Sequence, residues 1–141
     1  MTGSDPLSAD ERSERMRRVR DRNTKPEMRV RRMIHAMGYR YRLHDRKLPG
    51  KPDMVFPGRG KVIFVHGCFW HLHEGCSLNR PPKSKRDYWL PKLERNKARD
   101  LQHQQDLEEM GWSVLVVWEC ELKDTEELSR RLDHFLASTN A

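Results

Sequence analysis

The sequence predicts a small α/β domain with a mixed central sheet flanked by helices, and three observations carry that prediction. Helix-opening signals recur at Ser8-Ala9-Asp10-Glu11, at Thr24-Lys25-Pro26-Glu27 and from Asp124 to Glu127. Each sets a side-chain oxygen three residues ahead of a glutamate, so that free amides of the first turn find acceptors. Two β-branched and aromatic runs, Met54-Val55-Phe56 and Val62-Ile63-Phe64-Val65, flank the turn residues Pro57-Gly58-Arg59-Gly60 and read as a hairpin. A third run, Trp112 to Trp118, follows a long helical stretch and is the clearest strand.

Taken in order, residues 1–7 form a loose end and 8–141 a single domain. Within it, 8–22 reads as a basic helix or arm: Met16 and Val19 are apolar, while Arg12, Arg15, Arg17, Arg18, Arg20 and Arg22 crowd the other faces. Such a segment is either a solvated helix or an arm lying on phosphates. The helix opened by Thr24 has Val30, Met33, Ile34 and Met37 on one face, with Gly38 placed to stop it. Glu27 is there a capping residue first and a site residue second. Tyr39 to Leu43 alternates large apolar side chains with arginine, the pattern of a half-buried strand. After the hairpin, Glu74 to Asp87 is a loop, and Tyr88 to Met110 is a helix with Leu93, Leu101 and Leu107 inward. The last helix, from near Asp124, buries Leu128, Leu132, Phe135 and Leu136.

The totals narrow the function classes. The chain has 141 residues and a net charge of +7, from 28 Lys and Arg against 21 Asp and Glu. Such an excess favours polyanions, nucleic acid first among them. No run approaches the roughly 20 apolar residues of a membrane span, and the expectation is a soluble, intracellular protein. Three cysteines are an odd count for a disulfide framework; beside histidines they suggest metal.

Chemistry-bearing residues concentrate around the hairpin. Eleven residues separate Asp53 from Val65, so the start of one strand and the end of its partner converge, and a carboxylate and a backbone carbonyl can share one divalent cation. Just beyond, Cys68, His73 and Cys76 fall within nine residues, and Cys120 is the remaining cysteine. Together they make a Cys3His set, which suits tetrahedral zinc and leaves no open position, so the zinc is structural. Spacing alone leaves His66 or His71 as substitutes for His73.

These pieces together resemble the very short patch repair endonucleases, which nick DNA at T:G mismatches. The matching residues are Thr24-Lys25-Pro26-Glu27, Leu48-Pro49-Gly50-Lys51-Pro52-Asp53, His66-Gly67-Cys68-Phe69-Trp70-His71, Arg95-Asn96, Arg99-Asp100, Gly111-Trp112 and Val117-Trp118-Glu119-Cys120. The resemblance implies a restriction-endonuclease-like core without the usual lysine of that fold. It implies magnesium on Asp53 and the Val65 backbone carbonyl, site histidines at His66 and His71, and an acidic partner at Glu27. His71 is then the base that takes a proton from water, and His66 assists at the phosphate. It assigns zinc to Cys68, His73, Cys76 and Cys120. Phe69, Trp70 and Trp89, assisted by Met16, are implied to wedge into duplex DNA beside the mismatch, while Lys83, Lys85 and Arg86 are expected to hold the backbone. A T:G pair arises when 5-methylcytosine deaminates, which links such an enzyme to a cytosine methyltransferase and to mismatch-repair proteins.

The sequence departs from the family in three places, the basic loop Arg80 to Arg86, which bears on sequence context, being one. Val65 stands where some members have Thr or Asp, a change that a carbonyl ligand survives. The segment Leu72-His73-Glu74-Gly75-Cys76 is not the histidine tract of some relatives. Two other classes compete. A zinc-stabilised DNA-binding module explains charge, aromatics and cysteines but not Glu27, Asp53, His66 and His71 together. A restriction-like nuclease with another DNA substrate explains those four residues but not the wedge.

Overall fold

The computed structural model describes residues 24–68, 71, 73 and 86–138, apart from the side chains of residues 86, 87 and 89. The basic arm at 8–22, with Met16, therefore lies outside the described residues. So do Phe69, Trp70, Cys76, Lys83, Lys85 and the side chains of Arg86 and Trp89.

Helix α1 spans Lys25–Ala36, and its cap is the one the sequence signals. Thr24 is extended, and its hydroxyl accepts from the Glu27 amide at 3.3 Å. Past Met37 the chain turns through Gly38 at φ +95°, a conformation that a residue without Cβ adopts freely. Val30 and Ile34 are fully buried, and Met33 and Met37 pack partly against the same core.

Four strands follow the predicted order: β1 (Arg42–Leu43), β2 (Met54–Phe56), β3 (Lys61–His66) and β4 (Ser113–Trp118). They form one sheet in the order β1-β2-β3-β4. The first two pairings are antiparallel, with Met54 opposite Ile63 across the hairpin. The last is parallel and runs from Lys61 opposite Ser113 to His66 opposite Trp118. A parallel neighbour requires a crossover, and helix α2 (Arg86–Glu109) supplies it. Helix α3 (Thr125–Ala137) closes the chain, its first turn capped by the Asp124 carboxylate on the Glu127 amide.

Alternation along β2 and β3 divides the core into two layers. Met54, Phe56 and Ile63 face α1 and α3, where Leu128, Leu132 and Leu136 complete a closed apolar layer. Val55, Val62 and Phe64 face the other way and meet Leu107 of α2. Gly50 lets these layers approach: at φ +75°, an added Cβ would sit 2.9 Å from the His103 Cβ. Lys61 is buried to 1% exposure, and its ammonium donates to the Phe135 and Ser138 carbonyls that α3 leaves open at its end.

Four expectations need correction. Only Arg42 and Leu43 of the Tyr39–Leu43 segment are strand, and both are exposed; Tyr39 and Tyr41 instead pack on the α1 side. Helix α2 begins at Arg86, two residues before Tyr88. Phe135 is only partly buried. Leu101 is 57% exposed, because the inward stripe of α2 runs through Leu93, Asn96, Asp100, His103 and Leu107. That stripe keeps helical spacing but turns polar in the middle. Among the described residues no helix is long and apolar enough to cross a membrane.

Candidate active site and thiolate cluster

The polar stripe of α2 and the carboxyl ends of β3 and β4 meet at one end of the sheet. Ligands of open α/β sheets bind there because strand ends and loops converge without a side chain having to cross the core.

Asp53 sits just before β2, beside the last residues of its antiparallel partner β3. Its Oδ2 accepts from the Val65 amide at 2.7 Å, which pins the carboxylate against the end of β3. Burial raises the Asp53 pKa well above the usual carboxylate range, and the neighbouring Glu27 adds to the rise; the Val65 amide and Lys51 oppose it in part. Glu27 itself is 1% exposed. Thr24 caps the Glu27 amide, but the Glu27 carboxylate meets His44 Nε2 at 2.7 Å and Arg31 at 3.5 Å. Glu27 is thus more than a capping residue. Donor atoms of Glu27, His44 and Asp53 all lie within 4.8 Å of one another.

A second group forms where β3 ends. The turn after the strand is closed by the His71 amide on the Gly67 carbonyl at 3.2 Å and the His73 amide on the Cys68 carbonyl at 3.0 Å. This brings the His71 ring flat onto His66, with centroids 3.8 Å apart and planes 4° from parallel. His71 Nδ1 bonds to Asp100 Oδ2 of α2. A carboxylate only accepts, so Nδ1 carries the hydrogen, and in the neutral form of the ring Nε2 holds the lone pair. His66 is 5% exposed, and its Nδ1 has no hydrogen-bond partner among the described residues. Burial first, then the charge of His71, lowers its pKa to about 3, against a smaller opposing effect of Asp100. His66 is therefore neutral across the physiological range.

The third group joins distant parts of the chain. Cys68 is fully buried, His73 and Cys120 are partly buried, and their donor atoms lie within 4.8 Å of one another. Cys120 Sγ is 3.5 Å from His73 Nδ1. The 3-10 turn Glu119–Lys123 delivers Cys120 here, and Glu119 ties that turn to the Cys68 amide at 3.3 Å. Two thiols and an imidazole at this separation fit three corners of a tetrahedral zinc site; Cys76 lies outside the described residues. Carboxylates with a nearby strand-end carbonyl likewise fit a hard divalent cation at Asp53.

Trp118 separates the second and third groups. Its ring stacks on His73, with centroids 4.1 Å apart and planes 6° from parallel, and it stands edge-on to His66 at 5.3 Å. One aromatic side chain therefore braces both the imidazole pair and the thiolate cluster.

A family model described as DNA mismatch endonuclease Vsr matches residues 4–77, and a type II nicking enzyme, V.XorIIP of Xanthomonas oryzae pv. oryzae, is 52% identical over 94% of this chain and 97% of its own length. The chain belongs to the Vsr family. V.NmeAIP, a type II nicking enzyme of Neisseria meningitidis, is 40% identical over 94% of each chain. The DNA mismatch endonuclease Vsr of Escherichia coli is 38% identical, covering 92% of this chain and 86% of its own. As a Vsr-family member the protein is an enzyme, a DNA endonuclease.

Of the residues expected at the Vsr-family site, Glu27 and Asp53 come together, as do His66 with His71 and Cys68 with His73 and Cys120. Three contributors were not singled out for a role in the sequence. Asp100 was quoted only within a motif, although its place four residues after Asn96 on the inward stripe is a usable signal. His44 carries no such signal, and Trp118 reads as an ordinary strand residue.

Proposed function

We propose that this enzyme cuts one strand of duplex DNA 5′ to the mismatched thymine of a T:G pair, in a reaction that requires magnesium at Asp53 and the Val65 carbonyl. The observation that carries the reading is the His71–Asp100 pair, stacked on His66, the residue after the Val65 whose amide the Asp53 carboxylate accepts. The names of the relatives support it, one a mismatch endonuclease and the others nicking enzymes.

Bound magnesium supplies charge neutralisation on the phosphate and polarises it toward attack. The chain's own residues do the rest. Asp100 fixes the His71 tautomer, and His71 Nε2 takes a proton from the attacking water, the work of a positioned general base. His66, neutral and stacked beneath it, holds that ring in plane and faces the phosphate. Glu27 holds the Asp53 side of the site from α1. A structural zinc on Cys68, His73, Cys76 and Cys120 fixes the turn that carries His71.

Recognition falls to segments outside the described residues. Phe69, Trp70 and Trp89, with Met16, enter the stack beside the T:G pair, where unstacking costs less than at a matched step. Lys83, Lys85 and Arg86 hold phosphates, so affinity falls with salt on every duplex. The substrate, a product of 5-methylcytosine deamination, ties the activity to a cytosine methyltransferase and to mismatch-repair proteins, and the enzyme acts as a cytoplasmic monomer.

Single-turnover nicking of T:G and T:A duplexes of one sequence, with and without magnesium, tests this. Wild type should nick only the mismatched duplex and only with the metal. Asp53→Ala should abolish nicking while retaining binding, and Trp70→Ala should lose more mismatch nicking than nonspecific affinity. Equal rates on both duplexes would point to a restriction-like nuclease, and binding without nicking to a DNA-binding module. Cys120→Ser should lower zinc content and melting temperature together, because binding and folding are coupled; a stable, zinc-free wild type would remove the zinc assignment.

A further inference from the structure

His44 is drawn into the Asp53 site by a backbone conformation that few side chains adopt. It has φ +49°, in the left-handed region, which histidine, like asparagine and aspartate, enters more often than most side chains. Its amide donates to the Asp53 carbonyl at 3.2 Å, so β1–β2 pairing continues one step past Leu43 and Met54 and fixes where the turn occurs. The left-handed step swings the imidazole toward α1, and Nε2 reaches Glu27 Oε2 at 2.7 Å. Nothing in the hairpin requires this. Strained residues of this kind persist where the surroundings fix them, and they cluster at functional sites.

The consequence is a donor set. Nε2 of His44 and one carboxylate oxygen each from Glu27 and Asp53 lie within 4.8 Å of one another. Donors bound at just over 2 Å around a common ion stand roughly 3–4.5 Å apart, so an ion bound here replaces the 2.7 Å His44–Glu27 hydrogen bond. The three come from α1, the end of β1 and the start of β2, so they surround a point rather than line one face. Glu27 is 1% exposed and the His44 side chain 14% exposed. Two carboxylates crowded together out of water are an arrangement that a cation relieves.

We propose that His44 is a nitrogen ligand of the Asp53 cation, with Glu27 as a further oxygen ligand, and that this O,O,N set binds a first-row transition ion more tightly than the magnesium that supports nicking. The inference rests on the reading that a divalent cation binds at Asp53, and adds which donors hold it. Magnesium takes near-ideal octahedral oxygen coordination and retains water. Imidazole contributes more to a borderline ion, and manganese is the suitable probe because thiolates at Cys68 and Cys120 select softer metals.

The test needs no DNA. Manganese binding to the zinc-loaded protein is followed by loss of the free-ion spin-resonance signal, and magnesium affinity is read by competition. Electron spin-echo modulation then reports whether a 14N nucleus is bonded directly to the manganese. Wild type should hold manganese at least about tenfold more tightly than magnesium and show the nitrogen coupling. His44→Asn tolerates the left-handed backbone but is too short to reach Glu27. His44→Gln retains a donor to Glu27 but has no imidazole. Both variants should lose the coupling and most of the manganese preference, with magnesium affinity changed less than about threefold. Retention of the preference in His44→Gln would make His44 a positioning residue for Glu27 and overturn the proposal. So would an Asp53-dependent manganese signal without nitrogen coupling, and the magnesium reading would then stand. If Asp53→Ala leaves manganese bound as in wild type, the cation lies elsewhere and both readings fall.

Discussion

The two faces of the sheet are built from the same strands and end differently. Toward α1 and α3 the side chains are apolar along nearly the whole surface, from Met54 and Ile63 to Leu128, Leu132 and Leu136. Toward α2 the layer begins the same way, with Val55, Val62, Phe64 and Leu107, and then gives out. His66 takes the next inward position of β3, and Asn96 and Asp100 take the facing positions of α2. One face is closed and apolar except where Glu27 of α1 reaches Asp53 and His44. The other gives up apolar burial over its last turn to hold polar groups out of water, where each needs a partner. The site is thus a place where the core was left unfinished.

That contrast can be broken most directly at His71. His71→Ala should slow single-turnover nicking by about 10²–10⁴-fold, with a stability loss of no more than about 1–3 kcal/mol from the lost stack on His66 and the Asp100 partner. A large loss of stability with intact chemistry would make the imidazole stack structural. Leu132→Ala should do the reverse. It opens a cavity in the closed layer and should cost about 2–5 kcal/mol, with the rate of the folded fraction unchanged. A nicking defect in folded Leu132→Ala protein would mean that the two faces are coupled.

Asp53→Asn sharpens the comparison through pH. The Asp53 pKa is raised by folding, so between its ordinary and its raised value the native state binds the extra proton. Stability from this group is then present at low pH and lost as pH rises through the raised value. Without metal, Asp53→Asn should be more stable than wild type at pH 7, and the gain should vanish toward pH 4. Urea midpoints at the two pH values with chelator present decide it; a variant less stable at pH 7 would show that the carboxylate is well satisfied. Smallest of all, Leu101→Ala should change stability by no more than about 0.5 kcal/mol, because Leu101 lies outside the inward stripe. A loss of 2 kcal/mol or so would place Leu101 in a contact and the stripe in error.

How far the chain could be read without its fold follows from which signals are local. Caps at Thr24 and Asp124, the hairpin turn, the β4 run and the leucine face of α3 depend on neighbours within a turn or two, and all of them are in the structure. The carboxylate at Asp53 and the pairing of Cys68 with Cys120 were also legible, because residue chemistry and motif order identify them. Tertiary structure alone decided the partners. Whether α2 faces the sheet with Leu101 or with Asp100 turns on about 100° of rotation about its axis, which an apolar count does not fix once the facing surface is itself polar. His44 meets Glu27 across sixteen intervening residues through one left-handed backbone step, and no local pattern encodes that approach. Trp118 acts between two histidines from another strand end, a role created by the parallel register of β3 and β4. Residue types were set by the sequence; which of them meet was set by where the strands end.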